Sequence, residues 1–160
     1  MSKIALFPGT FDPFTLGHLS IVERGLRLVD EIIIAIGVNP EKKTFFPLEQ
    51  RIEMISKLFE SNPKIKVRSY RGLTVDFAKE TGAQFVIRGI RSINDFEYEK
   101  NIADINRKIA GIETIVLFTE SEYMYISSSF VRELLTYEKS IAAFVPAKLN
   151  IDDYKKYITL

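Results

Sequence analysis

The chain has 160 residues, of which 46% are apolar and 27% charged, a balance typical of one globular domain built around a single core. Its 22 basic and 21 acidic side chains nearly cancel, so no net field draws it to nucleic acid or an anionic membrane. With no cysteine and one histidine, disulfides, thiolate chemistry and thiolate metal sites are excluded, and a structural or catalytic zinc site is poorly supplied.

The opening MSKIALF runs from a short apolar strand (3–7) directly into a loop. It has the form of neither a signal peptide nor a membrane span, which needs about 20 apolar residues, so a reducing cytoplasm is the expected setting. The loop, GTFDPFTLGH (9–18), spends two glycines and a proline before reaching His18. Glycine after a strand allows close backbone approach, and His18 falls in the first turn of a predicted helix over 18–29. Free N–H groups and the positive end of the helix dipole suit phosphate oxygens there. A histidine merely packed in the core or lying on the surface is the alternative reading of that residue.

A second strand, EIIIAIGV (31–38), is followed by Lys42 and Lys43, a pair that elsewhere is most often solvated surface. PLEQRIEMISKLF (47–59) predicts a helix with proline in its first turn and Ile52, Ile55 and Phe59 on one stripe. KIKVRSY (64–70) reads as a third strand and TVDFAKETG (74–82) as a short helix stopped by Gly82. The fourth strand, QFVIRG (84–89), delivers Arg88 and Arg91 around Gly89, and guanidinium forks match phosphate or carboxylate. A longer helix (95–111), a fifth strand, ETIVLF (113–118), and a helix over 127–139 complete the alternation. That last helix opens on the hydroxyl run ISSS (126–129), with Arg132 one turn on, as a second anion cradle would. The tail after Pro146 reads as a final amphipathic helix.

Strand–helix alternation predicts an α/β fold, a Rossmann-like doubly wound five-stranded parallel sheet with helices on both faces. Strands one, two, four and five are almost continuously apolar, as expected of strands covered on both sides. Ligands in such sheets sit beyond the carboxyl ends of the strands where the order reverses, so the segments after those four strands should meet on one rim. No GxxxxGK[ST], GxGxxG or GxSxG sequence occurs, which removes the P-loop, dinucleotide and hydrolase-elbow readings.

GTFDPFTLGH resembles the (H/T)xGH signature of the nucleotidylyltransferase superfamily, and ISSSFVR its ISS[ST]xx[RK] signature. Together with the lysines at 42–43 and RGIRSINDFEYE (88–99), the chain resembles bacterial phosphopantetheine adenylyltransferases over residues 3 to about 146. The resemblance implies one nucleotidylyltransferase domain over 1–160, moving an adenylyl group from ATP to 4′-phosphopantetheine. It assigns the acceptor to Thr10, Lys42, Thr74 and Arg88. It assigns ATP to Thr10, Phe11, His18, Gly89, Ile90, Arg91, Glu99, Tyr123, Met124, Tyr125, Ile126, Ser127, Ser128 and Ser129. His18, Lys42 and Arg91 become the catalytic group.

The resemblance further implies Mg²⁺ carried mainly by ATP phosphates with no residue assigned as a metal ligand, a homohexamer, and feedback by coenzyme A. Phe96, Tyr98 and Ile102 are candidate subunit contacts. No nucleic acid or membrane partner is expected. The two signatures by themselves leave open a sister enzyme acting on nicotinamide mononucleotide or glycerol phosphate, and a nucleotide-binding module without catalysis. RGIRSINDFEYE and the position of Lys42 argue against the sister enzyme.

Overall fold

The computed structural model describes residues 2–152. Five strands, β1 (Ile4–Gly9), β2 (Glu31–Gly37), β3 (Ile65–Tyr70), β4 (Phe85–Ile90) and β5 (Glu113–Phe118), form one parallel sheet in the order β3-β2-β1-β4-β5. Helices α1 (Leu16–Gly25), α2 (Leu48–Leu58), α3 (Thr74–Thr81), α4 (Ile93–Ala110) and α5 (Ser128–Thr136) fill the connections. The β2 alternation shows how the layers divide. Ile32, Ile34 and Ile36 join Val22, Met54, Ile55 and Val131 in one core, while Ile33 and Ala35 join Val75, Phe77 and Ala78 in the other.

The strand order reverses beside β1, which lies between β2 and β4. There the ladder is uneven: β1 pairs with β2 over its whole length but with β4 only at Ala5–Phe85 and Leu6–Val86. Beyond Leu6 the two strands separate, opening a crevice at their carboxyl ends. Pro8 sits where they part. A proline inside a central strand would forfeit a ladder bond, but on the β4 side no ladder remains. The Pro8 carbonyl is instead satisfied by the Arg88 guanidinium at 2.8 Å.

Local chemistry accounts for the element ends. Thr15 and His18 form a reciprocal capping box at the start of α1. Ser92 and Ser127 cap α4 and α5 through their hydroxyls, accepting from the Asp95 and Phe130 N–H groups. Gly82 and Gly111 end α3 and α4 at φ of 70° and 67°, a left-handed turn that favours glycine.

Three sequence expectations shift. α1 begins at Leu16 and ends at Gly25, short of Val29, because residues 26–28 tighten into turns and Leu28 faces solvent. β5 is half-buried rather than covered on both faces, since it is an edge strand. After Pro146 only a single 3₁₀ turn, Ala147–Leu149, is defined as an element, and the rest of the expected tail helix lies outside the described residues.

Candidate active site

The crevice between β1 and β4 is a cleft of about 410 Å³. Its walls come from the segments after β1, β2, β4 and β5, including Thr10, His18, Lys42, Lys43, Arg88, Arg91 and the Ser127–Ser129 run. The convergence expected on one rim therefore occurs. A second cleft of about 650 Å³ adjoins it and shares Thr10, Lys42, Arg88 and Glu99. It is lined beyond them by Tyr70, Leu73, Thr74, Tyr98, Ile102 and Asn106, a longer and more apolar trough.

His18 is held from two sides. Its Nδ1 accepts the Thr15 backbone N–H at 3.0 Å and lies 3.1 Å from the Thr15 hydroxyl oxygen. With Nδ1 committed as an acceptor, the neutral ring carries its proton on Nε2, and that N–H is its only donor. The rings of Phe11, Phe14 and Phe7 surround it at centroid distances of 5.0, 5.3 and 6.2 Å. Burial among them, reinforced by the positive charges of Arg91 and Arg88, pushes the His18 pKa down to about 4. The imidazole is thus a neutral donor at physiological pH, in a cleft it shares with Lys42, Lys43, Arg88 and Arg91.

The basic residues differ in their freedom. Lys42 Nζ lies 3.3 Å from the Thr10 hydroxyl, and both stand where the two clefts join. Arg88 is committed: its Nε and one terminal nitrogen form a two-pronged pair with the buried Glu99 carboxylate, and its other terminal nitrogen holds Pro8. Arg91 reaches across the cleft and donates to the Ile126 carbonyl at 3.1 Å, while its backbone N–H donates to Asp95. Arg132 donates to the Asp12 carbonyl at 2.8 Å and to Ser129 Oγ at 3.1 Å.

The remaining expected residues fall into three groups. Thr10, Phe11, Gly89, Glu99, Tyr123, Ile126 and the serines line the first cleft, and Thr74 lines the second, where its hydroxyl is 2.8 Å from that of Tyr70. Ile90 is buried at the end of β4, its carbonyl accepts the Thr119 N–H at 2.9 Å, and it lines neither cleft. Met124 and Tyr125 are exposed at 48% and 64% and line neither cleft.

Two residues that sequence reading passed over hold the site together. Asp12 is 4% exposed, and its carboxylate accepts the Phe45 and Phe46 N–H groups at 2.7 and 2.8 Å. Arg51, 3% exposed, donates to the Phe46 and Thr10 carbonyls at 3.0 and 2.6 Å. An arginine in the middle of the α2 sequence was the available clue to Arg51. Nothing local distinguished Asp12 from a turn residue.

Among the described residues no group of three or more His, Asp or Glu side chains could hold a metal ion. The cleft's carboxylates are already engaged, Asp12 by amides, Asp95 and Glu99 by arginines. A divalent cation fits this donor set only as a passenger on substrate phosphates, the usual habit of Mg²⁺.

Residues 6–134 match the cytidylyltransferase-like family. The chain is 62% identical over 148 residues to a phosphopantetheine adenylyltransferase of Bacteroides thetaiotaomicron, covering 92% of this chain and 98% of that one.

It belongs to the phosphopantetheine adenylyltransferase family.

The family's members elsewhere are also close. The Porphyromonas gingivalis phosphopantetheine adenylyltransferase is 50% identical over 150 residues, covering 94% of this chain and 98% of the relative. The Desulfitobacterium hafniense one is 45% identical over 156 residues, covering 97% and 96%. A solved bifunctional NMN adenylyltransferase/ADP ribose pyrophosphatase from Francisella tularensis superposes with a TM-score of 0.74 at 16% identity, over 98% of this chain and 49% of that one. That likeness establishes the shared nucleotidylyltransferase fold. As a family member the chain is a nucleotidyltransferase enzyme.

Proposed function

We infer that this chain transfers the adenylyl group of ATP to 4′-phosphopantetheine, yielding dephospho-coenzyme A and pyrophosphate in coenzyme A biosynthesis. The observation that carries the reading is the pairing of two clefts, one basic and one longer and more apolar, that meet at Thr10 and Lys42. The junction suits a phosphate at the end of an extended, amide-bearing arm. NMN and glycerol phosphate lack such an arm and give the Tyr70–Thr74 trough no occupant.

The attacking phosphate monoester is anionic at neutral pH, so no general base is required. The work is to align two polyanions and to stabilise charge on the α-phosphate and the departing pyrophosphate, as in phosphoryl transfer generally. Thr10 and Lys42 hold the acceptor phosphate. Arg88, oriented by Glu99 and the Pro8 carbonyl, keeps an N–H on each terminal nitrogen for the same phosphate. His18 donates its Nε2–H to the α-phosphate oxygens, and its low pKa means that it does so as a neutral ring at physiological pH. Arg91 and the Ser127–Ser129 amides and hydroxyls face the triphosphate. Mg²⁺ bound to that triphosphate supplies further neutralisation when present.

The α4 helix supports assembly of several copies. Its buried side chains are the polar Glu99 and Asn106, while Ile93, Phe96, Tyr98, Ile105 and Ile109 are exposed. An apolar face left bare on a single chain is the surface a second copy would cover. A homohexamer is the family's form and the one adopted in this reading. Feedback by coenzyme A, which shares the acceptor's arm, belongs to the same reading, as does a cytoplasmic location.

Among the described residues no helix is long and apolar enough to cross a membrane. The test of the function is pyrophosphate release with ATP or CTP and a panel of acceptors. Release specific to ATP with 4′-phosphopantetheine supports the reading, and equal or faster turnover of nicotinamide mononucleotide or glycerol phosphate overturns it.

A further inference from the structure

Lys42 stands on a loop that has no regular structure between β2 and α2. Its place opposite Thr10 must be fixed by something, because a lysine on a free loop would lose side-chain and backbone entropy on every binding event. A local turn on Asn39, which accepts the Glu41 and Lys42 N–H groups, shapes the loop, and the contacts that tie it to the first loop centre on one residue. Both carboxylate oxygens of Asp12 are used, each accepting a backbone N–H from the far end of that loop, at Phe45 and Phe46. Arg51 closes the same joint from below by donating to Phe46 and Thr10 carbonyls. From the opposite side Arg132, on α5, donates to the Asp12 carbonyl, and Ser128 Oγ donates to the Pro13 carbonyl at 2.8 Å. Three chain segments therefore meet at Asp12, the β2–α2 loop through its carboxylate and α5 through its backbone carbonyl.

We propose that Asp12 is a positioning residue that latches the β2–α2 loop to the first loop and so sets Lys42 against Thr10 for capture of the acceptor phosphate. This rests on the assignment of Lys42 to the acceptor. Asp12 has no need to touch substrate. Its two charge-assisted bonds to amides are the strong kind, and Asn can supply only one acceptor oxygen while its NH₂ confronts the other N–H. The loop is then held at one point instead of two. The ATP side of the site, built on α1, β4 and the serine run, keeps its other supports.

The experiment is a double-mutant cycle on initial rates of pyrophosphate release: wild type, D12N, K42A and D12N/K42A, with both substrates varied. D12N is expected to raise the KM for 4′-phosphopantetheine about tenfold with the KM for ATP within about twofold of wild type. In the K42A background D12N should add no more than about twofold, because the latch has lost the residue it positions. Equal rises in both KM values, or full additivity in the double mutant, overturn the proposal. A normal K42A defect beside a silent D12N also overturns the latch, while leaving the acceptor site intact. A silent K42A instead overturns the acceptor assignment, and the latch with it.

Should D12N fail to fold, amide exchange in the wild-type enzyme decides the point. The Phe45 and Phe46 amides are expected to exchange at least about a hundredfold more slowly than unstructured peptide. Exchange near the unstructured rate would overturn the latch.

Discussion

At the residue scale, the cleft holds a histidine kept neutral by its surroundings. Desolvation by three phenylalanine rings lowers the His18 pKa to about 4 from an ordinary 6.5, with Arg91 and Arg88 adding to the effect. The folded protein therefore binds fewer protons at this site than the unfolded chain between those two values, and stability rises with pH across that window. The contribution is complete above about pH 6.5 and is lost as pH falls through 4, amounting to about 3 kcal/mol at most. Urea unfolding of wild type and H18Q from pH 4 to 7 checks this, and the wild type should show the steeper loss toward acid. In catalysis, H18A should fold and lose about 10²–10³ in turnover, the usual cost of one well-aimed donor. Single-turnover rates at pH 7.5 measure it, and near-normal turnover would remove His18 from the mechanism. For Lys42 the expectation is different in kind. K42A should weaken 4′-phosphopantetheine binding more than ATP binding, as read by calorimetry.

At the element scale, the loop after β1 is long because it performs several jobs in few residues. Thr10 meets Lys42 where the clefts join, Asp12 holds the neighbouring loop, Thr15 caps α1 and fixes the His18 ring, and Phe11 and Phe14 pack against that ring. Gly9 makes this folding-back possible. A Cβ there would lie 2.7 Å from the Phe11 ring, which is itself 3% exposed and packed against His18. G9A should thus destabilise the protein by about 1–3 kcal/mol through overpacking. It should also raise the KM for ATP, because Phe11 can yield only toward His18. Thermal unfolding and steady-state kinetics on the same preparation test both effects, and a neutral G9A would show that the ring has room to move. A glycine immediately after an apolar strand was readable as a point of close approach. That the approaching group is the protein's own Phe11 was not, since Phe11 turns back at a φ of 50° that no local pattern announces.

At the scale of the whole molecule, α4 and β5 are the parts least complete in one chain. β5 is an edge strand whose Phe118 is 73% exposed, and α4 turns polar Glu99 and Asn106 inward and its isoleucines and aromatics outward. This inversion follows from the site. Glu99 has to face Arg88, and Asn106 has to face the second cleft, so the helix cannot also present its apolar stripe to the sheet. Tyr98, Ile105 and Ile109 of that stripe border the second cleft, and Ile93 and Phe96, which line neither cleft, are available to other copies. A charge on the stripe outside both clefts, as in F96E, should reduce the assembly to smaller species without preventing folding, measured by light scattering and circular dichroism. An unchanged particle mass would place the contacts elsewhere.

Periodicity alone delivered the five strands, the four helices between them, the helix after the last strand and the rim where they meet, because near-continuous apolar runs and three-and-four spacings are local properties. The motifs located His18, Lys42, Arg88, Arg91 and the serine run for the same reason: loop glycines, cationic pairs and hydroxyl caps are written in consecutive residues. Tertiary structure decided what each could do. Only the parting of β1 from β4 opens the cleft, and only the pairing of Arg88 with Glu99 fixes how that guanidinium stands where the two clefts join. The role of Asp12 depends on amides 33 and 34 residues away, and that of Arg51 on a carbonyl 41 residues away. Partners so distant in sequence are chosen by the fold, through the cost of leaving buried charges and amides unpaired, and a reading of neighbouring residues has no access to that choice.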